Sequence, residues 1–202
     1  MRKELTVAAF ACTLAVALAP SVHAQTPPAP AAASIVVEKP TYISIPLEMA
    51  VNRPAAEVWK RVGKYCDISE WLQIAAGCTM LSGKDGEIGS VRSVATEVLV
   101  GKTELSYTYT QPVRAGRPYN LYHGTLEARP VTATTSKIVY TLFFDNSMLA
   151  DDAARERDRA QRTAQFTIAL ENMKILAEGG TLPPAPARGG APGGAPAPGR
   201  DR

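Results

Sequence analysis

At 202 residues the chain is long enough for one ordinary domain plus extensions. Its 22 Lys+Arg against 19 Asp+Glu give a formal charge of +3. Between residues 25 and 187 the two signs balance at 17 each, so the excess sits in the ends, whereas a nucleic-acid binder carries its basic patch on the folded domain.

Arg2 and Lys3 precede an uncharged, mostly apolar stretch over residues 5–19, too short to cross a bilayer as a helix. Pro20 breaks it, and Val22-His23-Ala24 offers a small-residue cleavage site before Gln25. Residues 1–24 read as a secretory signal peptide, the alternative being an uncleaved anchor. The expectation is an exported protein, periplasmic or secreted, without a stable membrane anchor. Residues 25–40 read as a Pro/Ala-rich linker. Residues 180–202 are mostly Pro, Gly and Ala, with too little apolar surface to offset ordering, and read as a disordered tail.

The domain expected between them, over 41–179, opens with a strand at 42–51, where Ile43, Ile45, Leu47 and Met49 share one parity. Asn52 is placed to cap a helix over 54–64 with Pro54 in its first turn, and Ala55, Val58, Trp59 and Val62 form one face. Asp67 can cap a short second helix, 68–72, carrying Trp71. Short strands follow at 78–81 and 90–95, joined through Gly83-Lys84-Asp85-Gly86, and then at 97–102, 105–110, 120–129 and 137–145. A loop with two prolines and a glycine separates the fourth of these from the fifth, at 111–118. A long helix over 151–178 ends at Gly179-Gly180 and is apolar over most of its second half, so it must be covered. Strands segregated from helices predict an α+β fold, an antiparallel sheet on one helix layer.

Two cysteines survive processing, Cys66 and Cys78, a disulfide candidate in an oxidising compartment, with two buried free thiols as the alternative. One mature histidine, His123, and the absence of Cys-x-x-Cys spacing speak against a metal site. No nucleophile–base constellation or phosphate loop suggests a catalytic residue or a cofactor.

The phrases VNRPAAEVWKRVGKYCDISEWL (51–72), GEIGSVRSV (86–94), ELSYTYTQP (104–112), YHGTLEARP (122–130), SKIVYTLFFD (136–145) and NMKILAEGG (172–180) resemble, in this order, the START-like helix-grip (SRPBCC) superfamily. Within it the chain looks most like the bacterial polyketide cyclase/dehydrase and lipid-transport group. The resemblance implies a curved antiparallel sheet of about seven strands around the C-terminal helix, with a cavity between them whose mouth lies near 111–118. The superfamily's hormone receptors use a lysine where this chain has Ala76, so that function is not implied.

Aligned on the family, one face turns Leu105, Tyr107 and Tyr109, then Tyr122 and Leu126, then Tyr140, Leu142 and Phe144 inward. Ala164, Ile168 and Asn172 recur at helical spacing and would face the same cavity. The opposite parity, with His123, Glu127, Lys137 and Asp145, is mostly polar and reads as the solvent side. No carboxylate or histidine falls inside on this reading. Four inward tyrosines suit an apolar ligand site with a few polar points. They equally suit a ladder of cross-strand aromatic pairs. The function expected is an exported carrier or binding protein for a small hydrophobic molecule. The alternative is a polyketide cyclase/dehydratase-like or isomerase-like enzyme using the cavity tyrosines. Protein partners are not legible.

Overall fold

Alternating apolar and polar residues from Tyr42 to Val51 make the first strand, β1 (Tyr42–Val51), with Ile45 and Val51 buried. The computed structural model describes residue 37 and residues 39–185. The expected signal peptide, most of the linker and the tail beyond 185 lie outside the described residues. After β1 come α1 (Ala55–Val62), α2 (Ile68–Trp71), β2 (Met80–Ser82), β3 (Val91–Arg92) and β4 (Glu97–Lys102). Then follow β5 (Ser106–Thr110), β6 (Asn120–Pro130), β7 (Ser136–Asp145) and α3 (Asp152–Ala177).

The seven strands form one antiparallel sheet in the order β1-β7-β6-β5-β4-β3-β2. The chain's first strand therefore lies beside its last, with Tyr42 opposite Asp145 and Val51 opposite Ser136. Along β6 and β7 burial alternates almost without a break, which sends Tyr122, Leu126, Tyr140 and Leu142 to one face. That face packs on Phe166, Ala169, Leu170, Met173 and Leu176 of α3 and on Val58, Val62, Ile68 and Trp71 of α1 and α2. This is the α+β helix-grip arrangement that the sequence predicts. Each such apolar side chain contributes about 1.5–3 kcal/mol on burial, against about 1 kcal/mol for a helix cap. The apolar row of α3, more than its ends, holds the helix on the sheet. No helix among the described residues is long and apolar enough to cross a membrane.

Several local expectations are corrected. Asn52 does not cap α1: its backbone N–H goes to Glu178 Oε1 at 2.8 Å, and Pro54 occupies the cap position without a side-chain bond. Asp67 precedes α2, but its carboxylate takes the backbone N–H of Lys64 instead. β3 is shorter than predicted because Ala95 and Thr96 adopt left-handed backbone (φ 49° and 53°) and turn the chain early. Asp145, assigned to the solvent side, is buried, where it accepts from the N–H groups of Thr41 and Ser147 and from the Ser147 hydroxyl. Asp151 caps α3 as its type predicts, accepting from Ala154 N–H at 2.6 Å.

Cys66 and Cys78 are joined, their Cα atoms 5.4 Å apart, so the loop entering α2 is tied to the segment leading into β2. The first residues of the expected tail lie on the domain. Leu182 packs against the core, and Gln73 Nε2 donates to the Pro183 carbonyl at 2.7 Å.

Candidate functional site

The sheet's concave face is aromatic because four tyrosines fall on the inward parity of β5, β6 and β7. Tyr107, Tyr109, Tyr122 and Tyr140 are all buried, as are Leu126, Leu142 and Phe144. Their rings form a continuous run: Tyr107 to Tyr109 at 6.4 Å, Tyr109 to Tyr122 at 6.3 Å, and Tyr122 to Phe144 at 5.6 Å between centroids. The Tyr109 and Tyr140 hydroxyls bond each other at 2.8 Å. Gly124 makes room for this: a Cβ there would collide with the Tyr109 ring, which lies across it. Burial raises the pKa of all four phenols, so they stay protonated and can donate.

The interior also holds a charge pair, and this corrects the expectation of a face without a carboxylate. Arg92 and Glu97 sit directly opposite each other where β3 turns into β4, and they are 0 % and 2 % exposed. Arg92 Nε donates to Glu97 Oε2 at 2.7 Å, and Nη1 donates to the Tyr65 carbonyl. Glu97's other oxygen accepts from Gln111 Nε2 at 2.8 Å, and Gln111 in turn accepts from the Tyr119 hydroxyl at 2.7 Å. The guanidinium lies over the rings of Tyr65 (4.2 Å) and Tyr109 (4.7 Å). Burial pushes the Glu97 carboxyl up, and Arg92 opposes that shift. Burial also disfavours the charge on Arg92, but the Glu97 carboxylate beside it opposes this and the guanidinium stays charged. The only sequence signal was an Arg and a Glu flanking a four-residue turn, the spacing of a cross-strand pair.

Above this interior, α1, the β2–β3 loop and the β4–β5 turn frame an open cleft of about 510 Å³. Trp59, Tyr65, Leu99 and Tyr107 line it, and Lys60, Lys64, Lys102, Asp85 and Glu104 stand among its lining residues. The Trp59 ring lies against Gly63, where a Cβ would not fit. Two of the lining residues, Tyr65 and Tyr107, have hydroxyls that are buried without a hydrogen-bond partner. Burial raises the Tyr65 phenol as well. A cleft of this size with an apolar floor and unspent donors is the general form of a small-molecule site.

The mouth expected near 111–118 is closed. The recess there, lined by Gln111, Arg114 and Tyr119, holds about 10 Å³, at or below the space one water needs. Arg162 of α3 covers that end of the aromatic run, 4.7 Å from the Tyr119 ring and 4.6 Å from Phe144, and is anchored to Asp158 at 2.9 Å.

Of the residues expected to line a cavity, the seven strand residues from Tyr107 to Phe144 are brought together inside. Leu105 is half-buried in the β4–β5 turn. Ala164 and Ile168 point outward, Ile168 being 46 % exposed. The helix is rotated from the expected phase, so that the row through Phe166, Ala169 and Met173 meets the sheet. Asn172 is buried, but its amide donates to the Trp71 carbonyl at 2.9 Å and ties α3 to α2. With Trp71 and Gln165, Ile168 and Asn172 line a separate surface groove of about 420 Å³. His123 lies on the outward parity with Nδ1 at 2.8 Å from the Leu121 carbonyl, and Glu127 pairs with Arg129.

Residues 43–178 match the family described as polyketide cyclase / dehydrase and lipid transport. No curated protein matches the chain. Among solved structures, a Thermobifida fusca protein is similar at a TM-score of 0.53 and 21% identity, covering 69% of this chain and 97% of its own. The Zhui aromatase/cyclase from Streptomyces sp. R1128 gives 0.52 and 18%, with 70% and 100% covered. XoxI from Bacillus cereus gives 0.51 and 16%, with 65% and 92% covered. At these identities the likeness is one of fold.

Proposed function

We propose that this chain, which belongs to the polyketide cyclase/dehydrase and lipid-transport family, is an exported binding protein that carries a small hydrophobic molecule in the cleft beside α1. The observation behind this reading is the cleft itself: about 510 Å³, lined by Trp59, Leu99, Tyr65 and Tyr107, the last two with hydroxyls that have no hydrogen-bond partner. An unpaired buried hydroxyl costs about 1–3 kcal/mol, which a ligand oxygen reaching it would recover. The expected export follows from the leader-like residues 1–24. N-terminal sequencing of the exported protein should begin at Gln25, and retention of Met1 would end that part of the proposal. Native mass spectrometry of the exported protein should show a small-molecule adduct that organic solvent releases. An apo mass together with no binding of N-phenyl-1-naphthylamine would overturn the carrier reading.

One observation favours a second reading, an enzyme of cyclase, dehydratase or isomerase type. The Arg92–Glu97 pair lies under Tyr107, and a phenol kept protonated beside a guanidinium is a proton donor. Turnover of a polyketone or enone that Tyr107→Phe abolishes, with the fold intact, would support it. We put the carrier reading first because Arg92 and Glu97 are 0 % and 2 % exposed, out of a substrate's reach.

A further inference from the structure

We propose that the cleft beside α1 takes a small amphipathic anion, its apolar body on Trp59, Leu99 and Tyr107 and its charged group among Lys60, Lys64 and Lys102. This rests on the carrier reading and adds the sign of the ligand's charge. The lining changes chemistry with depth. Below are rings and Leu99, and around them stand three exposed ammonium groups from two different elements, the end of α1 with the loop after it and the end of β4. Among the described residues, none of the ion pairs includes Lys60, Lys64 or Lys102. Lys102 Nζ donates to the Gly86 carbonyl at 2.6 Å, a neutral partner.

The acids facing them are Asp85 and Glu104 in the lining and Asp67 behind Lys64. Asp85 already accepts the Tyr65 backbone N–H at 2.8 Å, and Asp67 accepts that of Lys64 at 2.9 Å. In the lining the three ammonium groups outnumber the two carboxylates, Asp85 and Glu104, and the Tyr65 and Tyr107 hydroxyls have no hydrogen-bond partner. The ammonium groups and the phenols are donors, and burial keeps both phenols protonated. An occupant rich in acceptors and negative at one end satisfies both sets, whereas a cation would meet the three ammonium groups. The apolar floor separates this site from a surface that merely complements the helix end, for which Lys60 and Arg61 alone would serve.

Two dyes that differ by one group test it: N-phenyl-1-naphthylamine and its 8-sulfonate share the same rings. In fluorescence titrations the sulfonate should bind about fivefold or more tightly at low salt, the scale of one or two exposed ion pairs, and the advantage should shrink as salt rises. Lys60→Gln with Lys64→Gln, which keeps Lys102, should cut that advantage while leaving the uncharged dye's affinity and the melting temperature unchanged. Ile168→Glu, in the separate groove on α3, should alter neither dye. Equal affinities, a sulfonate advantage undiminished by the double substitution, or a loss with Ile168→Glu overturns the proposal and leaves the carrier reading standing. Failure of both dyes to bind overturns the two together.

Discussion

The hydroxyls of Tyr109 and Tyr140 meet at 2.8 Å although their strands are not neighbours, for β6 lies between β5 and β7. The phenol of Tyr109 crosses β6 over Gly124, its register partner, and reaches the residue that stands opposite Leu126. One missing side chain on the middle strand lets the outer two communicate.

Removing either hydroxyl should therefore destabilise through the one left behind. Tyr109→Phe or Tyr140→Phe is expected to cost about 1–3 kcal/mol, the penalty of a buried group without a partner. The double variant should cost less than the sum, since it removes both polar atoms. Urea melts of the four proteins close the cycle, and additive losses would show that the two hydroxyls act independently.

The Arg92–Glu97 pair should be costly to break and cheaper to replace. Glu97→Ala leaves a buried guanidinium without its acid and is expected to cost about 3–5 kcal/mol. Arg92→Met with Glu97→Leu, which removes both charges at similar volume, should recover most of that loss. Chemical denaturation of the three forms is the check. A double variant no better than Glu97→Ala would mean the charges themselves are required.

These two predictions mark where the sequence was legible and where it was not. Period-two alternation placed β1 at its observed limits, while alignment on the family, supported by a mostly polar opposite parity, put the tyrosines of β5, β6 and β7 inside. Arg92 and Glu97 were invisible as core residues, because each alone reads as solvent-facing. Only their juxtaposition across a tight turn makes burial tolerable. Ala164 and Ile168 were misplaced for a different reason. The second half of α3 is apolar over so much of its girth that periodicity leaves its phase open, and contacts with β1, β7, α1 and α2 decide it.

Alkaline pH should unfold the protein. Tyr65, Tyr107, Tyr109, Tyr122 and Tyr140 all have pKa values raised by burial above the ordinary 10.0. A raised folded-state value means stability fully present below the unfolded value and lost as pH rises through the folded one. Absorbance at the tyrosinate band, followed with circular dichroism, should show these five phenols ionising together with loss of structure. Ionisation of all seven tyrosines of the chain near their ordinary value with the fold intact would contradict the sealed interior.

Reduction of Cys66–Cys78 should lower stability by roughly 3 kcal/mol, the chain-entropy value for a loop of about this size. Thermal melts with and without reductant, compared with Cys66→Ala/Cys78→Ala, measure it. The cleft lies nearby through Tyr65 and Asp85, so dye affinity should fall with the bond as well. A melting temperature unmoved by reductant would contradict this.

The pairing of β1 with β7 has a consequence for the order in which the chain can fold during synthesis. β1 is made first, and its neighbour in the sheet is the last strand to appear. Until then its apolar parity, Ile43, Ile45, Leu47 and Met49, has no native strand beside it. Hairpins from β2 through β6 close over short loops and can form as they emerge, but the sheet's first edge must wait for its partner. α3, which packs on β1 as well as β7, comes later still. A nascent chain halted before residue 136 would expose a long, unpaired, sticky strand at its oldest end, the kind of segment that chaperones hold.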